Sequence, residues 1–309
     1  MSAPVAKSFH PSPRLAYLLL VATMIMWSIC LVVSRGVHET VPGVGLSFWR
    51  WAGATAVMAA FVWPDLIRTW PIVRAKWKMF AVLGAVLGLA GTGLVLSVQY
   101  TTAINAVVVN ASQPVITAIG AALLGRDRLG PWQWLGVLAG TVGVLVMVTR
   151  ADIEVLRTFS FNMGDIVVFV ATFGYAAYAL NVYRLPHEMG LFTSLFLVSV
   201  AGTIVIFPFY VWETVAVKPV PLSWEALGAA ATLAILWSVL SVFTWNAGNR
   251  AVGPSRAGIF VNLFPVFSAA FAIVFLGEEL YAFHLWGALF VCAGITLVVL
   301  AGRKKPTAS

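Results

Sequence analysis

The chain has 309 residues, of which 61% are hydrophobic and 10% are charged, whereas soluble domains carry about 25% charged residues. This composition excludes a soluble enzyme or binding domain and leaves room for roughly ten membrane-spanning helices of about 20 residues each. The net charge of +8 does not indicate nucleic-acid binding, because the basic residues lie in short loops and at both ends rather than on one patch with aromatic residues. We therefore predict an all-α membrane protein that contacts lipid and binds no nucleic acid.

Ten apolar runs, bounded by proline, glycine and charged residues, predict the transmembrane helices in chain order. The first five cover residues 14–35, 43–63, 77–98, 101–123 and 131–149. The second five cover residues 164–183, 192–212, 224–247, 254–276 and 282–301. The first run follows Lys7 and Arg14, but it is longer than the apolar core of a signal peptide and further spans follow it. We interpret it as a retained helix.

The most polar connection, residues 150–163, divides the chain into two sets of five helices. The predicted organisation begins with a cytoplasmic tail of residues 1–13 and a five-helix repeat over residues 14–149. After the connecting loop, a second repeat covers residues 164–301 and a cytoplasmic tail covers residues 302–309.

The closing parts of the two halves share a spacing of one proline and three glycines. The successive intervals are 11, 11 and 7 residues in the first half and 12, 10 and 7 in the second. The residues are Pro114, Gly125, Gly136 and Gly143, and then Pro265, Gly277, Gly287 and Gly294. Chance similarity between apolar segments is the alternative to duplication. Because five is odd, duplicated halves would have opposite orientations, and inverted repeats around a central cavity are typical of transporters.

The loop charges predict the orientation. Fourteen Lys and Arg residues fall on the side that holds both termini and four on the other side, with Arg50 left inside a span. Since cytoplasmic loops carry an excess of basic residues, both termini are expected in the cytoplasm of a bacterial inner membrane.

These features resemble the drug/metabolite transporter superfamily, and within it the EamA-type ten-helix exporters. The resemblance covers nearly the whole chain. It is carried by Trp27-Ser28, Arg50, and the proline–leucine–glycine–acid segments from Pro114 to Asp127 and from Pro265 to Glu279. The first half departs from the family pattern, because Gly125-Arg126-Asp127 stands where a glutamate commonly follows the glycine.

Three further segments are similar to bacterial exporters of aromatic and other amino acids. They are Ser34-Arg35-Gly36-Val37, Trp245-Asn246-Ala247-Gly248 and Trp286-Gly287-Ala288-Leu289. The resemblance implies a central cavity lined by helices one to four and six to nine, with helices five and ten at the periphery. It also implies a small-molecule substrate, namely amino acids, and alternating access between the two sides of the membrane.

Arg50 is the basic residue placed clearly within a predicted span, where insertion of arginine costs about 2.5–3.5 kcal/mol. One interpretation is that it binds a substrate carboxylate. The other is an interfacial arginine flanked by tryptophans in an aromatic belt. Because predicted span centres hold no Asp or Glu, facilitated export is favoured and proton coupling stays open.

The other candidates are polar or aromatic residues that share helix faces. The predicted substrate-binding set is Trp27, Arg50, Asn110, Tyr175, Tyr178, Trp237, Trp245, Asn246 and Asn262. Pro114 and Pro265 are predicted hinges, since a transmembrane proline removes a backbone hydrogen bond and kinks its helix.

Three functions follow as hypotheses. The first is an exporter of amino acids with broad selectivity, acting as a monomer and without cofactor or metal. The second is a carrier of another metabolite, such as a nucleotide sugar or a drug. A membrane-embedded lipid enzyme is disfavoured, since the sequence shows no catalytic constellation, metal-ligand spacing or phosphate loop.

Overall fold

The structure is a computed structural model that describes residues 11–97, 100, 103–157, 162–276 and 279–303. Most of both predicted tails therefore lies outside the described residues, including Lys7, Lys304 and Lys305. Every regular element in the described ranges is helical. The chain is an all-α, multi-pass membrane protein.

The first half runs in order through seven helices. They are α1 (Pro13–Gly36), α2 (Gly43–Arg68), α3 (Trp70–Ser97), α4 (Ala103–Asn110), α5 (Gln113–Leu123), α6 (Pro131–Val148) and the short α7 (Ile153–Arg157). The second half contains α8 (Met163–Asn181), α9 (Leu191–Ala216), α10 (Trp224–Thr232), α11 (Val242–Val252), α12 (Pro254–Gly258), α13 (Leu263–Leu276) and α14 (Ala282–Arg303). A π-helix (Leu233–Ser241) joins α10 to α11, and a 3-10 helix (Ile259–Asn262) joins α12 to α13.

The two predicted helices that contain the hinge prolines both depart from regular α-helix shortly before the proline. The helix expected over residues 101–123 stops at Asn110 and restarts at Gln113, so that Pro114 lies in the first turn of α5. Proline is tolerated there because the first N–H groups of a helix have no intrahelical acceptor. The helix expected over residues 254–276 contains a 3-10 turn at Ile259–Asn262, after which Pro265 lies in the first turn of α13, and Pro254–Phe275 is still one helical stretch long enough to cross a membrane. The predicted helix over residues 101–123 is therefore interrupted at residues 111–112, whereas the predicted helix over residues 254–276 is present, and the hinge role of both prolines stays a prediction.

Several other boundaries also differ from the prediction. The helices α2 and α9 extend past the predicted ends at residues 63 and 212, and α3 begins before residue 77. The predicted connecting loop contains α7. In the described residues, eight helical stretches are long and apolar enough to cross a membrane, together with a shorter apolar stretch at Val108–Leu123. The one remaining span of the ten predicted corresponds to α2, in which Arg50 lowers the mean hydropathy.

Equivalent helices of the two halves make equivalent contacts with the opposite half. The helix α1 packs against α11 and α13, while α8 packs against α3, α4 and α5. The pairs α2–α9 and α6–α14 each join equivalent helices of the two halves. This arrangement is the packing expected of two inverted five-helix repeats.

The repeated glycines lie where α6 and α14 touch. A Cβ atom built on Gly136 would lie 2.5 Å from the carbonyl oxygen of Gly294, and one built on Gly143 would lie 2.6 Å from that of Gly287. Such close backbone approach requires glycine, as is common between membrane helices. The seven-residue glycine interval shared by the two halves therefore corresponds to one helix–helix contact.

The helices α2 and α9 cap each other. The Glu213 carboxylate, near the end of α9, accepts hydrogen bonds from the backbone N–H groups of Val44 (3.1 Å) and Gly45 (2.6 Å) at the start of α2. At the other end, Asp65 Oδ2 accepts from the Gly190 N–H (3.0 Å) and the Thr193 hydroxyl (2.6 Å) at the start of α9. Both carboxylates satisfy N–H groups that have no partner within their helix and oppose the positive end of its dipole.

Candidate functional site

A cavity in the interior of the bundle, here called the central cavity, joins both halves of the protein. Six of the predicted substrate-binding residues line it: Trp27, Arg50, Tyr175, Tyr178, Trp237 and Trp245. The remaining lining residues are Trp51, Leu87, Gln113 and Val242. Its free volume is about 40 Å³, whereas a protein cavity that binds one benzene molecule measures about 150 Å³. The cavity must therefore widen before it can hold an organic solute.

Arg50 lies between two tryptophan rings. Its Cζ atom is 5.2 Å from the ring centre of Trp51 and 5.1 Å from that of Trp237, within the range of cation–π attraction. Nη1 donates to the hydroxyl of Ser238 at 3.2 Å. Neither ion pair found in the described ranges includes Arg50. The guanidinium is held by rings and a hydroxyl, so its positive charge is not neutralised by a carboxylate there.

Gly91 leaves the space in which two polar groups converge. A Cβ atom at this position would lie 3.3 Å from Arg50 Nη2 and 3.4 Å from the Tyr175 hydroxyl. Sequence reasoning missed Gly91 and Ser238, because a single glycine or serine in an apolar helix carries no distinguishing pattern. Trp51, next to Arg50, was noted only as a possible interfacial residue.

Trp27 of the first half contacts two residues of the second half, Ser241 and Trp245. Trp27 Nε1 donates to the Ser241 hydroxyl at 2.7 Å, and the rings of Trp27 and Trp245 lie 5.7 Å apart at 33°. The Ser241 hydroxyl also bonds to the carbonyl of Trp237. Trp237 and Ser241 belong to the π-helix, an irregularity that occurs frequently at functional sites because it changes side-chain register.

Asn246 does not line the central cavity. It is completely buried, and its amide nitrogen donates to the Val242 carbonyl of its own helix at 2.6 Å. Its side chain also interacts with the buried hydroxyl of Tyr178. The expected role of Asn246 as an amide facing a solute is therefore absent from this conformation, because the side chain bonds to its own backbone.

Asn110 and Asn262 line a second cavity of about 220 Å³, here called the vestibule. Its other lining residues include Met147, Pro265, Ser268 and His284. Helices five and ten of the predicted order, α6 and α14, contribute to it, although the resemblance implied a peripheral position for them. Met147 lies at the end of α6 and His284 at the start of α14, which places the vestibule toward the end of the bundle where these helix termini meet.

A larger groove of about 710 Å³ lies outside both cavities, between α2 and α10. It contains Trp49 and Trp224, which are 45% and 87% exposed, and it does not include Arg50. Its position on the outer surface of a membrane bundle favours contact with lipid rather than solute binding.

Comparison with known proteins relates this architecture to carriers. The description "EamA-like transporter family" matches residues 14–149 and again residues 162–300. The uncharacterized transporter YyaM of Bacillus subtilis is 28% identical over 254 residues, which cover 80% of this chain and 81% of that protein. The aromatic amino acid exporter YddG of Escherichia coli is 24% identical, with 91% and 95% covered. A crystal structure with a TM-score of 0.75 and 18% identity covers 94% of this chain and 98% of its own, and shows the fold alone.

Proposed function

Because the chain belongs to the EamA-like transporter family, we propose that it is a secondary transporter that exports amino acids, aromatic ones included, across the bacterial inner membrane. The observation that carries this proposal is the unpaired guanidinium of Arg50 in a cavity walled by aromatic rings. A buried arginine pairs well with a carboxylate, since its planar fork donates two parallel hydrogen bonds.

The aromatic walls suit the rest of such a substrate. Trp27 and Trp245 present ring faces and edges to an apolar or aromatic side chain. An ammonium group would be attracted to the tryptophan faces by cation–π interaction, and no carboxylate is among the described lining residues. The similarity to an aromatic amino acid exporter supports the same substrate class.

The transport cycle that we propose rocks the two halves around the central cavity. Movement is needed because the cavity in this conformation is too small for an amino acid. The breaks at Pro114 and Pro265 occupy equivalent places in the halves and serve as the hinges. Both termini lie in the cytoplasm, and export runs down the substrate gradient.

The alternative is a carrier of another small metabolite or drug. A nucleotide sugar would need several cations to meet its phosphates, and among the described residues that line the central cavity only Arg50 is basic. A lipid enzyme is disfavoured by the family and by an enclosed cavity that holds no nucleophile–base pair among those lining residues.

The decisive experiment measures flux into liposomes that contain the purified protein, with and without a pH gradient. We expect labelled phenylalanine to be transported without the gradient, and phenethylamine, which lacks the carboxylate, to be excluded. Arg50→Gln should abolish phenylalanine flux in a folded protein. The matched control is Arg157→Gln, which removes an exposed arginine on α7 and should transport normally. Equal flux of the amine, or normal flux in Arg50→Gln, would refute the proposal.

A further inference from the structure

We propose that the vestibule is a second substrate site, which binds the carboxylate of the transported amino acid between the central cavity and one face of the membrane. This inference rests on the proposed function. It assigns Asn110 and Asn262, which the sequence placed with Arg50, to a separate step of transport.

The break between α4 and α5 separates the two cavities. Asn110 ends α4 and lines the vestibule, whereas Gln113 begins α5 and lines the central cavity. Only Ala111 and Ser112 lie between them, and the two cavities share no lining residue. A solute that moves from one cavity to the other therefore passes this break.

The vestibule contains a buried hydrogen-bond donor without an acceptor. Asn262 is 2% exposed, and its Nδ2 atom has no partner in the described structure. An unpaired buried amide is unfavourable, and a bound acceptor removes the penalty. The amide packs against Gly140 of α6, beside the vestibule, since a Cβ atom there would lie 2.6 Å from Nδ2.

Asn110 presents a second amide from the other half. Its Oδ1 lies 3.2 Å from the Thr172 hydroxyl, which donates its proton to the Val168 carbonyl at 2.8 Å. The unpaired donor of Asn262, with a second amide at Asn110 on the same cavity, therefore calls for an acceptor ligand, and a carboxylate supplies two acceptor oxygens. At about 220 Å³ the vestibule has room for the head of an amino acid.

The central cavity should bind the substrate carboxylate more strongly than the vestibule, which is the order of affinities that release through the vestibule requires. Arg50 offers a charge-assisted bond in a narrow, aromatic cavity, while the vestibule offers two neutral amides in a wider one. Because charge-assisted hydrogen bonds are about twice as strong as neutral ones, a solute binds the vestibule more weakly and leaves it readily. Under the predicted orientation the vestibule lies on the extracytoplasmic side, as an exporter needs.

A cysteine-protection experiment tests this site directly. The chain has two cysteines, Cys30 and Cys292, which are first replaced by serine. Ala269, which lines the vestibule, is then changed to cysteine, and its labelling by a water-soluble thiol reagent is followed with increasing phenylalanine. The control is Lys218→Cys in the exposed loop after α9, whose labelling should not respond to phenylalanine.

We expect phenylalanine to protect the Ala269→Cys protein, and to protect it equally when Arg50→Gln is added. Asn262→Leu should raise the half-protecting concentration at least fivefold, and Asn110→Leu provides a second variant if the first does not fold. Phenethylamine should not protect. The vestibule site would be overturned if phenylalanine gave no protection, if protection disappeared with Arg50→Gln, or if it survived both leucine variants. A cysteine at position 269 that the reagent cannot reach would also overturn it. Failure of the proposed function would be distinct, because wild-type liposomes would then show no phenylalanine flux.

Discussion

Asp65 of α2 caps the start of α9, and Glu213 of α9 caps the start of α2. Each carboxylate lies 23 residues after the residue that precedes its own helix, which is Pro42 for α2 and Gly190 for α9. The inverted symmetry of the halves thus extends to individual hydrogen bonds. Both ends of the α2–α9 pair are joined by charged groups, so the helix that carries Arg50 is fixed at each terminus.

Removal of either charge should destabilise the fold. Glu213→Gln replaces one of two accepting oxygens by an NH₂ group, and Asp65→Asn loses the ion pair with Arg68. Both variants also lose the attraction to the helix dipole, so the free energy of unfolding should fall by about 1 kcal/mol in each. The two sites are about 30 Å apart along the helix, so the double variant should lose about 2 kcal/mol. Unfolding in detergent measures this. Glu154→Gln, in an exposed ion pair, should change little, and single variants that match it would contradict the capping role.

The α6–α14 contact should not tolerate a methyl group. Gly136→Ala would place its Cβ atom 2.5 Å from the Gly294 carbonyl, and the resulting overpacking should cost about 1–3 kcal/mol. The control is Gly228→Ala in α10, where nothing lies within 4 Å of the new atom and helix propensity should add about 0.5–1 kcal/mol. The midpoints of thermal denaturation of both variants test this prediction, and equal midpoints would disprove close packing as the role of Gly136.

Trp245 should determine preference among substrates. Its ring lies beside Trp27 in the central cavity, so Trp245→Ala should reduce phenylalanine transport relative to alanine transport about tenfold, or about 1.4 kcal/mol. Competition between the two labelled amino acids in liposomes measures the ratio. Trp224→Ala removes an exposed tryptophan of the outer groove and should leave the ratio unchanged. An unaltered ratio in Trp245→Ala would assign this ring to packing.

The helix breaks should set the rate of exchange between conformations. In Pro114→Ala the new N–H could bond to the Asn110 carbonyl and favour a continuous helix through the break; Pro265→Ala should act likewise in α13. We expect slower flux with unchanged binding, measured as counterflow rate and equilibrium affinity. Pro131→Ala, at the start of α6 with no helical segment directly before it, is the control. Wild-type counterflow rates in both variants would remove the hinge role.

The fold was predictable wherever apolar runs were long, since such runs must be helical in a membrane. The caps were not predictable, because a charged residue at the edge of an apolar run ordinarily indicates the end of a transmembrane helix. The predicted ends at residues 63 and 212 stop just short of Asp65 and Glu213, which lie inside their helices. A carboxylate buried against a helix start resembles a loop residue until its partner in the other half is known.

The site was predictable in part for a similar reason. Aromatic residues at helical spacing, such as Tyr175 with Tyr178, share a face, and six of the predicted residues meet in one cavity. The asparagines could not be assigned, since face arguments assume an unbroken helix. The break after Asn110 and the 3-10 turn before Pro265 place Asn110 and Asn262 in the vestibule instead.

The exchanged caps make each half chemically incomplete. A single five-helix half would hold one acidic residue with no helix start to meet and one helix start with no acid. Two separate halves could satisfy these groups only by pairing head to tail, which would require the same polypeptide to insert into the membrane in both directions. Joining the halves in one chain removes that requirement, and it allows each end of the pair to keep its own carboxylate, the shorter aspartate at one and the longer glutamate at the other.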